Sequence, residues 1–137
     1  MSEMPPDPSG PAPDPGVVEL AGRVFTLART GDAASLASYV DAGVPVNLTN
    51  EKGDTLLMLA AYHGHADAVR VLLERGADAD RLNDRGQSPI AGAVFKGEEA
   101  VVRALVESGA DPRAGHPTAV DAAVMFERPD LLVLLEP

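Results

Sequence analysis

The chain has 137 residues, enough for one domain of ordinary size and too few for two. Its formal net charge is −10, from 21 acidic and 11 basic residues, which argues against binding phosphate backbones or anionic membrane surfaces. With no cysteine it can hold neither disulfides, nor thiol nucleophiles, nor thiolate zinc sites.

Residues 1–14 contain Pro5, Pro6, Pro8, Pro11 and Pro13, three acidic residues and no basic one. Proline removes backbone donors and disfavours helix in the residue before it, so this stretch is expected to be a disordered or PPII-like tail. Its PxxP spacings lack the basic flank that such ligands carry, and a solvated tail is the better reading. The first residues have neither a basic n-region nor an apolar h-region, so no secretory signal is expected. No run of 18 apolar residues exists, which leaves cytoplasmic residence as the expectation.

Asp14-Pro15 reads as a cap followed by proline in a first helical turn. Val17, Leu20, Val24, Leu27 and Ala28 then recur at helical spacing. Asp32 can cap a second helix with Leu36, Tyr39 and Val40 facing inward. In the next segment Gly53 and Asp54 suit a tight turn, Thr55 caps a helix over Leu56 to Tyr62, and Gly64 ends it. A helix over about His65 to Arg75 follows, with Val69, Leu72 and Leu73 on one face and Gly76 beyond it. Gly86, Ser88-Pro89 and Gly97 repeat the scheme, and the second helix there carries Val101, Val102, Leu105 and Val106. Gly92 lies within a helix at a cost of roughly 1 kcal/mol against alanine, which close approach of neighbouring helices would compensate.

The period is regular. Gly31, Gly64 and Gly97 are spaced 33 residues apart, and so are Gly43, Gly76 and Gly109, and Gly53 and Gly86. Thr118 to Ala123 opens a fourth unit whose turn is three residues short, since Thr118 follows Ser88 by 30. Glu127 stands where glycine is usual. Leu131, Leu132, Leu134 and Leu135 can bury against the third unit. Glu136 falls where internal units place Leu73 or Val106, as if the array ends there with a polar outer side.

Gly53, Thr55, Leu57, Leu59-Ala60-Ala61, Gly64-His65, Leu72-Leu73-Glu74 and Gly76-Ala77-Asp78 stand in unbroken order and resemble the ankyrin repeat. The resemblance is to small stand-alone bacterial ankyrin proteins and covers residues 17–136. It implies an all-α solenoid of four helix-turn-helix repeats joined by short turns or hairpin loops, at about 15–49, 50–82, 83–115 and 116–137. Met58, Ala91 and Asp121 stand where the family places a histidine, and the proline is kept only at Pro89.

Motifs for chemistry are sparse. His63-Gly64-His65 is better read as the inter-helix signature than as a metal pair, because zinc needs three or four converging ligands. Gly86-Gln87-Ser88-Pro89-Ile90 starts like a nucleophile elbow and lacks its closing glycine, so Ser88 reads as a helix cap. Asp78, Asp80, Asp84, Asp111 and Asp121 fall at repeat-phased turn and cap positions, where carboxylates hydrogen-bond local backbone. The Asn47-Leu48-Thr49 sequon has no secretory context. No enzyme activity, cofactor or metal is expected.

Ankyrin proteins usually meet a partner protein on a concave face built from turn tips and the ends of the first helices. The corresponding turn-tip positions are Lys52, Asp54, Arg85 and Gln87, with Glu51 and Asp84. The helix-end positions are Arg29, Tyr62, His63, Phe95, Lys96, Met125 and Phe126, with Thr30. The resemblance thus implies a monomeric module that binds another protein through these residues, without nucleic acid or membrane. Two alternatives stand beside it. One is an accessory factor to a catalase-type redox enzyme, a role of some similar bacterial proteins. The other is a hydrolase or metal protein.

Overall fold

The structure, a computed structural model, describes residues 15–137. The Pro-rich tail and the Asp14 cap lie outside the described residues. Eight helices follow one another in pairs: α1 (Pro15–Thr30) with α2 (Ala33–Asp41), α3 (Leu56–Tyr62) with α4 (Ala66–Glu74), α5 (Pro89–Phe95) with α6 (Glu99–Glu107), and α7 (Ala119–Met125) with α8 (Pro129–Leu135). The first helices of successive pairs pack together as an inner layer, and the second helices as an outer layer. Among the described residues there is no strand, only a β-bridge between Thr49 and Thr55, and no helix is long and apolar enough to cross a membrane.

Caps explain where the inner helices begin. The hydroxyls of Thr55, Ser88 and Thr118 accept from the backbone N–H of Met58 (3.0 Å), Ala91 (3.1 Å) and Asp121 (3.0 Å). Asp32 does the same for α2 through Ser35 N–H at 3.1 Å. Asp121 therefore sits in the first helical turn and receives the cap, whereas its sequence position had read as a capping carboxylate. The α3 helix ends in a Schellman closure: Gly64 N–H donates to Ala61 O and His65 N–H to Ala60 O, with Gly64 at φ 80°.

The core is a seam between layers and pairs. Leu36, Leu56, Leu57, Leu72, Ile90, Leu105 and Leu131 are fully enclosed. Gly92 sits where α5 meets α3; a Cβ there would lie 3.2 Å from Met58 Cε, so the close approach expected of a helical glycine is present. Leu73, Tyr39, Val40 and Val106 are half-buried at the edges of the seam.

Two expectations need correction. Val17 does not join the buried stripe: it is 57% exposed. Its helix has 16 residues where α3 has 7, so the first turns of α1 project past the neighbour that would cover them. Phe25, absent from that stripe, is buried instead. Nor is the last pair polar throughout its outer side, since Val124 (62%) and Val133 (65%) are exposed. Val124 occupies the repeat position of buried Val94, and among the described residues no following helix pair covers it.

Candidate functional site

Turns carry the first part of the site. Asn50 and Asn83 each fold a turn around a side-chain amide oxygen. Asn50 Oδ1 accepts from Lys52 N–H (2.9 Å) and Asp54 N–H (3.0 Å), and Asn83 Oδ1 accepts from Arg85 and Gln87 N–H, both at 3.0 Å. The Asn83 Nδ2 group donates to Asp54 Oδ1 and to Gln87 Oε1, both at 2.8 Å. Asp84 N–H donates to Lys52 O at 3.1 Å, so the two turns are stitched to each other. This places Lys52 and Arg85 side by side in exposed positions on adjacent tips. It also commits Asp54 and Gln87, both expected as binding residues, to holding the turns together.

A second ladder of turn carboxylates runs deeper along the chain. Asn47 Oδ1 accepts from Asp78 N–H at 2.8 Å, and Asp80 Oδ1 accepts from Asp111 N–H at 2.7 Å. Asp78 and Asp111 carboxylates accept from Asp80 and Arg113 N–H. These acids bind backbone both locally and across repeats, which accounts for their phasing.

Helix ends carry the second part. The hollow next to α1 and α3, about 300 Å³, is lined by Arg29, Lys52, Asp54, Tyr62, His63, Arg85 and Gln87 together with Asn50, Glu51, Met58, Leu59 and Asn83. The adjoining hollow over α5 and α7, about 280 Å³, is lined by Tyr62, Arg85, Gln87, Phe95, Met125 and Phe126 with Met58, Ala91, Gly92, Pro117 and Ala122. Met58, Tyr62, Arg85 and Gln87 belong to both, so the two hollows form one groove. Of the sequence-predicted residues all but Lys96, Asp84 and Thr30 line it. Lys96 lies at its rim, with Nζ 5.0 Å from the centroid of the Tyr62 ring.

The apolar end is open. Phe95 (57%), Met125 (65%) and Phe126 (44%) are exposed, and the two phenyl rings meet edge to face with centroids 5.3 Å apart. Tyr62 stands edge-on to His63 at 5.5 Å. The His63 imidazole is held below its ordinary pKa, first by burial and then by the positive charges of His65, Arg29 and Lys96. The sequence reading missed Met58 and Asn83. Met58 had been seen only as a replaced histidine; Asn83 could have been found from its phase with Asn50.

Arrangements for catalysis are weak here. Ser88 is fully buried and its hydroxyl caps α5. His65 Nε2 donates to Arg29 O at 2.7 Å, and its ring lies over Gly31, where a Cβ would meet it at 2.4 Å. It is thus a tie between repeats. Among the described residues no group of three or more His, Cys, Asp or Glu converges on a point where a metal ion could sit.

Comparisons agree with this geometry. Residues 25–116 match the family model described as ankyrin repeats, in three copies. An ankyrin repeat protein of Pseudomonas aeruginosa is 53% identical over 53 residues, which are 39% of this chain and 31% of that protein. Human ankyrin repeat domain-containing protein 29 is 46% identical over 55 residues, 39% of this chain and 18% of that protein. The chain thus spans less than a third of the length of these relatives. The crystal structure of the human ASB11 ankyrin repeat domain superposes with a TM-score of 0.74 at 26% identity, covering 82% of this chain and 52% of that one.

Proposed function

The chain belongs to the ankyrin repeat family, and on that premise we propose that it binds a partner protein in the groove between its turn tips and inner helices. Ankyrin repeats are generally protein-interaction modules, and the family is typically non-enzymatic. The reading is of a non-enzymatic module that engages its partner on the concave face. The observation that carries it is the exposed cluster of Phe95, Met125 and Phe126 at the mouth of a groove whose floor holds Tyr62 and Met58. Clustered apolar exposure of this kind, rimmed by polar residues, marks interaction surfaces, and aromatic anchors commonly dominate binding energy. Inside the repeats the seam is already filled by Leu57, Ala60, Ala61, Val69 and Leu72, so the exposed Phe95, Met125 and Phe126 are free for a ligand. No feature of the groove favours a redox-enzyme accessory role or hydrolysis.

The test is a Tyr62→Ala plus Phe95→Ala variant, checked first for an intact helical spectrum and melt. Proteins retained from a native lysate by the parent chain should be lost from the variant, with an affinity drop of about thirtyfold for one anchor of about 2 kcal/mol and nearly a thousandfold if the two add. A folded variant that retains the same protein at parent affinity rules out the groove.

A further inference from the structure

The two halves of the groove differ in chemistry. Arg29, Lys52 and Arg85 ring the hollow beside α1 and α3, where Glu51 and Asp54 are the only carboxylates. Asp54 is committed to the Asn83 amide. In the hollow over α5 and α7 the one charged residue is Arg85 and the rest is mostly apolar.

Arg70, Arg75, Arg103, Arg113 and Arg128 each reach a carboxylate; Arg29, Lys52 and Arg85, like Arg23, Arg81 and Lys96, occur in none of the ion pairs among the described residues. In a chain of net charge −10 there is no shortage of carboxylates to pair with them. With Glu51 and Asp54 beside them, three cations against two carboxylates, the lining of the hollow carries a formal charge of +1, opposite in sign to the whole molecule. Like charges facing a common hollow repel one another, and a bound anion relieves that repulsion.

Resting on the concave-face reading, we propose that the ligand is an extended peptide segment of the partner, with an Asp or Glu side chain seated among Arg29, Lys52 and Arg85 and a bulky apolar side chain seated on Phe95, Met125 and Phe126. Guanidinium groups meet carboxylates in charge-assisted hydrogen bonds, stronger than neutral ones. The edge-to-face phenyl pair offers a second surface for an aliphatic or aromatic group. Because the two hollows share Tyr62 and Arg85, one short segment spans both.

His63 reports occupancy. Its pKa is held down by burial and by the facing charges of His65, Arg29 and Lys96. A carboxylate bound nearby offsets those charges and raises it. Binding then takes up a proton, so affinity rises as pH falls through the range between the free and the bound His63 pKa.

The experiment selects a displayed library of random short peptides on the full chain at low salt and re-synthesises the enriched sequences with a fluorophore. Enriched peptides should pair Asp or Glu with Leu, Ile, Phe or Trp. Arg29→Glu and Arg85→Glu, both at exposed side chains, should each weaken them about tenfold or more, and replacing the peptide acid by Lys should do the same. Arg29→Gln and Arg85→Gln serve as milder variants should the reversals unfold. In an NMR titration the His63 imidazole should move to higher pKa with the peptide bound. Enriched peptides without acids that are lost on Tyr62→Ala plus Phe95→Ala overturn this ligand class and leave the concave-face reading standing. Peptides indifferent to both sets of variants overturn both. A library that yields no enrichment overturns the proposal.

Discussion

The second and fourth helix pairs are built on one template and end in different states. In α3 every residue from Leu56 to Ala61 is buried; in α7 only Ala119, Ala122 and Ala123 are. The difference is one of neighbours. α3 lies between α1 and α5 and on α4, whereas among the described residues α7 packs mainly on α5 and α8. Burial in a solenoid is a property of having a repeat on both sides, and the same apolar code yields core in the middle and accessible surface at the end. The groove's aromatic mouth, with Met125 and Phe126, belongs to that last pair.

The largest effect that would break the comparison comes from the seam. Leu72 is fully buried beneath both flanking pairs, and Leu72→Ala should cost about 2–5 kcal/mol in urea unfolding. Leu135 holds the same repeat position in the last pair, is 5% exposed, and among the described residues has packed helices on one side of the pair only. Leu135→Ala should fall at or below the lower end of that range, about 2 kcal/mol. Equal losses at the two sites would mean that the end of the array is packed as tightly as its middle.

Much of this was legible beforehand because it rests on local chemistry. The hydroxyl caps at Thr55, Ser88 and Thr118 depend on residues three apart, and the glycine period and the phase of Tyr62 with Phe95 on a fixed spacing of 33 that can be counted along the chain. What escaped depends on neighbours. Val17 has helical spacing and no cover, because α1 outruns α3. Val124 has a core position and, among the described residues, no following pair. Phe25 is buried off the apolar stripe. At the site, phase placed eleven of the fourteen expected residues around one groove, but could not say that Asp54 and Gln87 are held by a single amide, nor which cations stay unpaired.

An intermediate effect is expected at Asn83. Its side chain makes four hydrogen bonds, two within its own turn, one to Gln87 and one to Asp54 of the preceding turn. Asn83→Ala should cost about 1–3 kcal/mol, by leaving partly buried groups unpaired. The last pair has His116 at that repeat position, and its turn is held through backbone, with His116 N–H donating to Gly86 O at 2.9 Å. His116→Ala should therefore cost far less than Asn83→Ala. A thermal melt that ranks the two the other way would show that side-chain stitching is not what joins the middle turns.

The smallest effect has the opposite sign. The α7 helix closes in the same manner as α3: Glu127 N–H donates to Val124 O at 3.1 Å and Arg128 N–H to Ala123 O at 2.8 Å. The residue at the left-handed position is Gly64 in the middle and Glu127, at φ 53°, at the end. A side chain in that region costs roughly 1–2 kcal/mol relative to glycine in the folded state. Glycine offsets part of this by its greater freedom in the unfolded chain, about 0.5–1 kcal/mol. The Glu127 side chain is exposed and enters none of the ion pairs among the described residues, so little is lost with it. Glu127→Gly should therefore stabilise by about 0.5–1 kcal/mol and raise Tm by about 2–4 °C. The converse change in the middle, Gly64→Ala, must also displace the Glu98 carboxylate, 2.6 Å from the added Cβ, and should destabilise. If Glu127→Gly leaves the melt unchanged or lowers it, the turn after α7 is not strained, and the last pair closes on better terms than its geometry indicates.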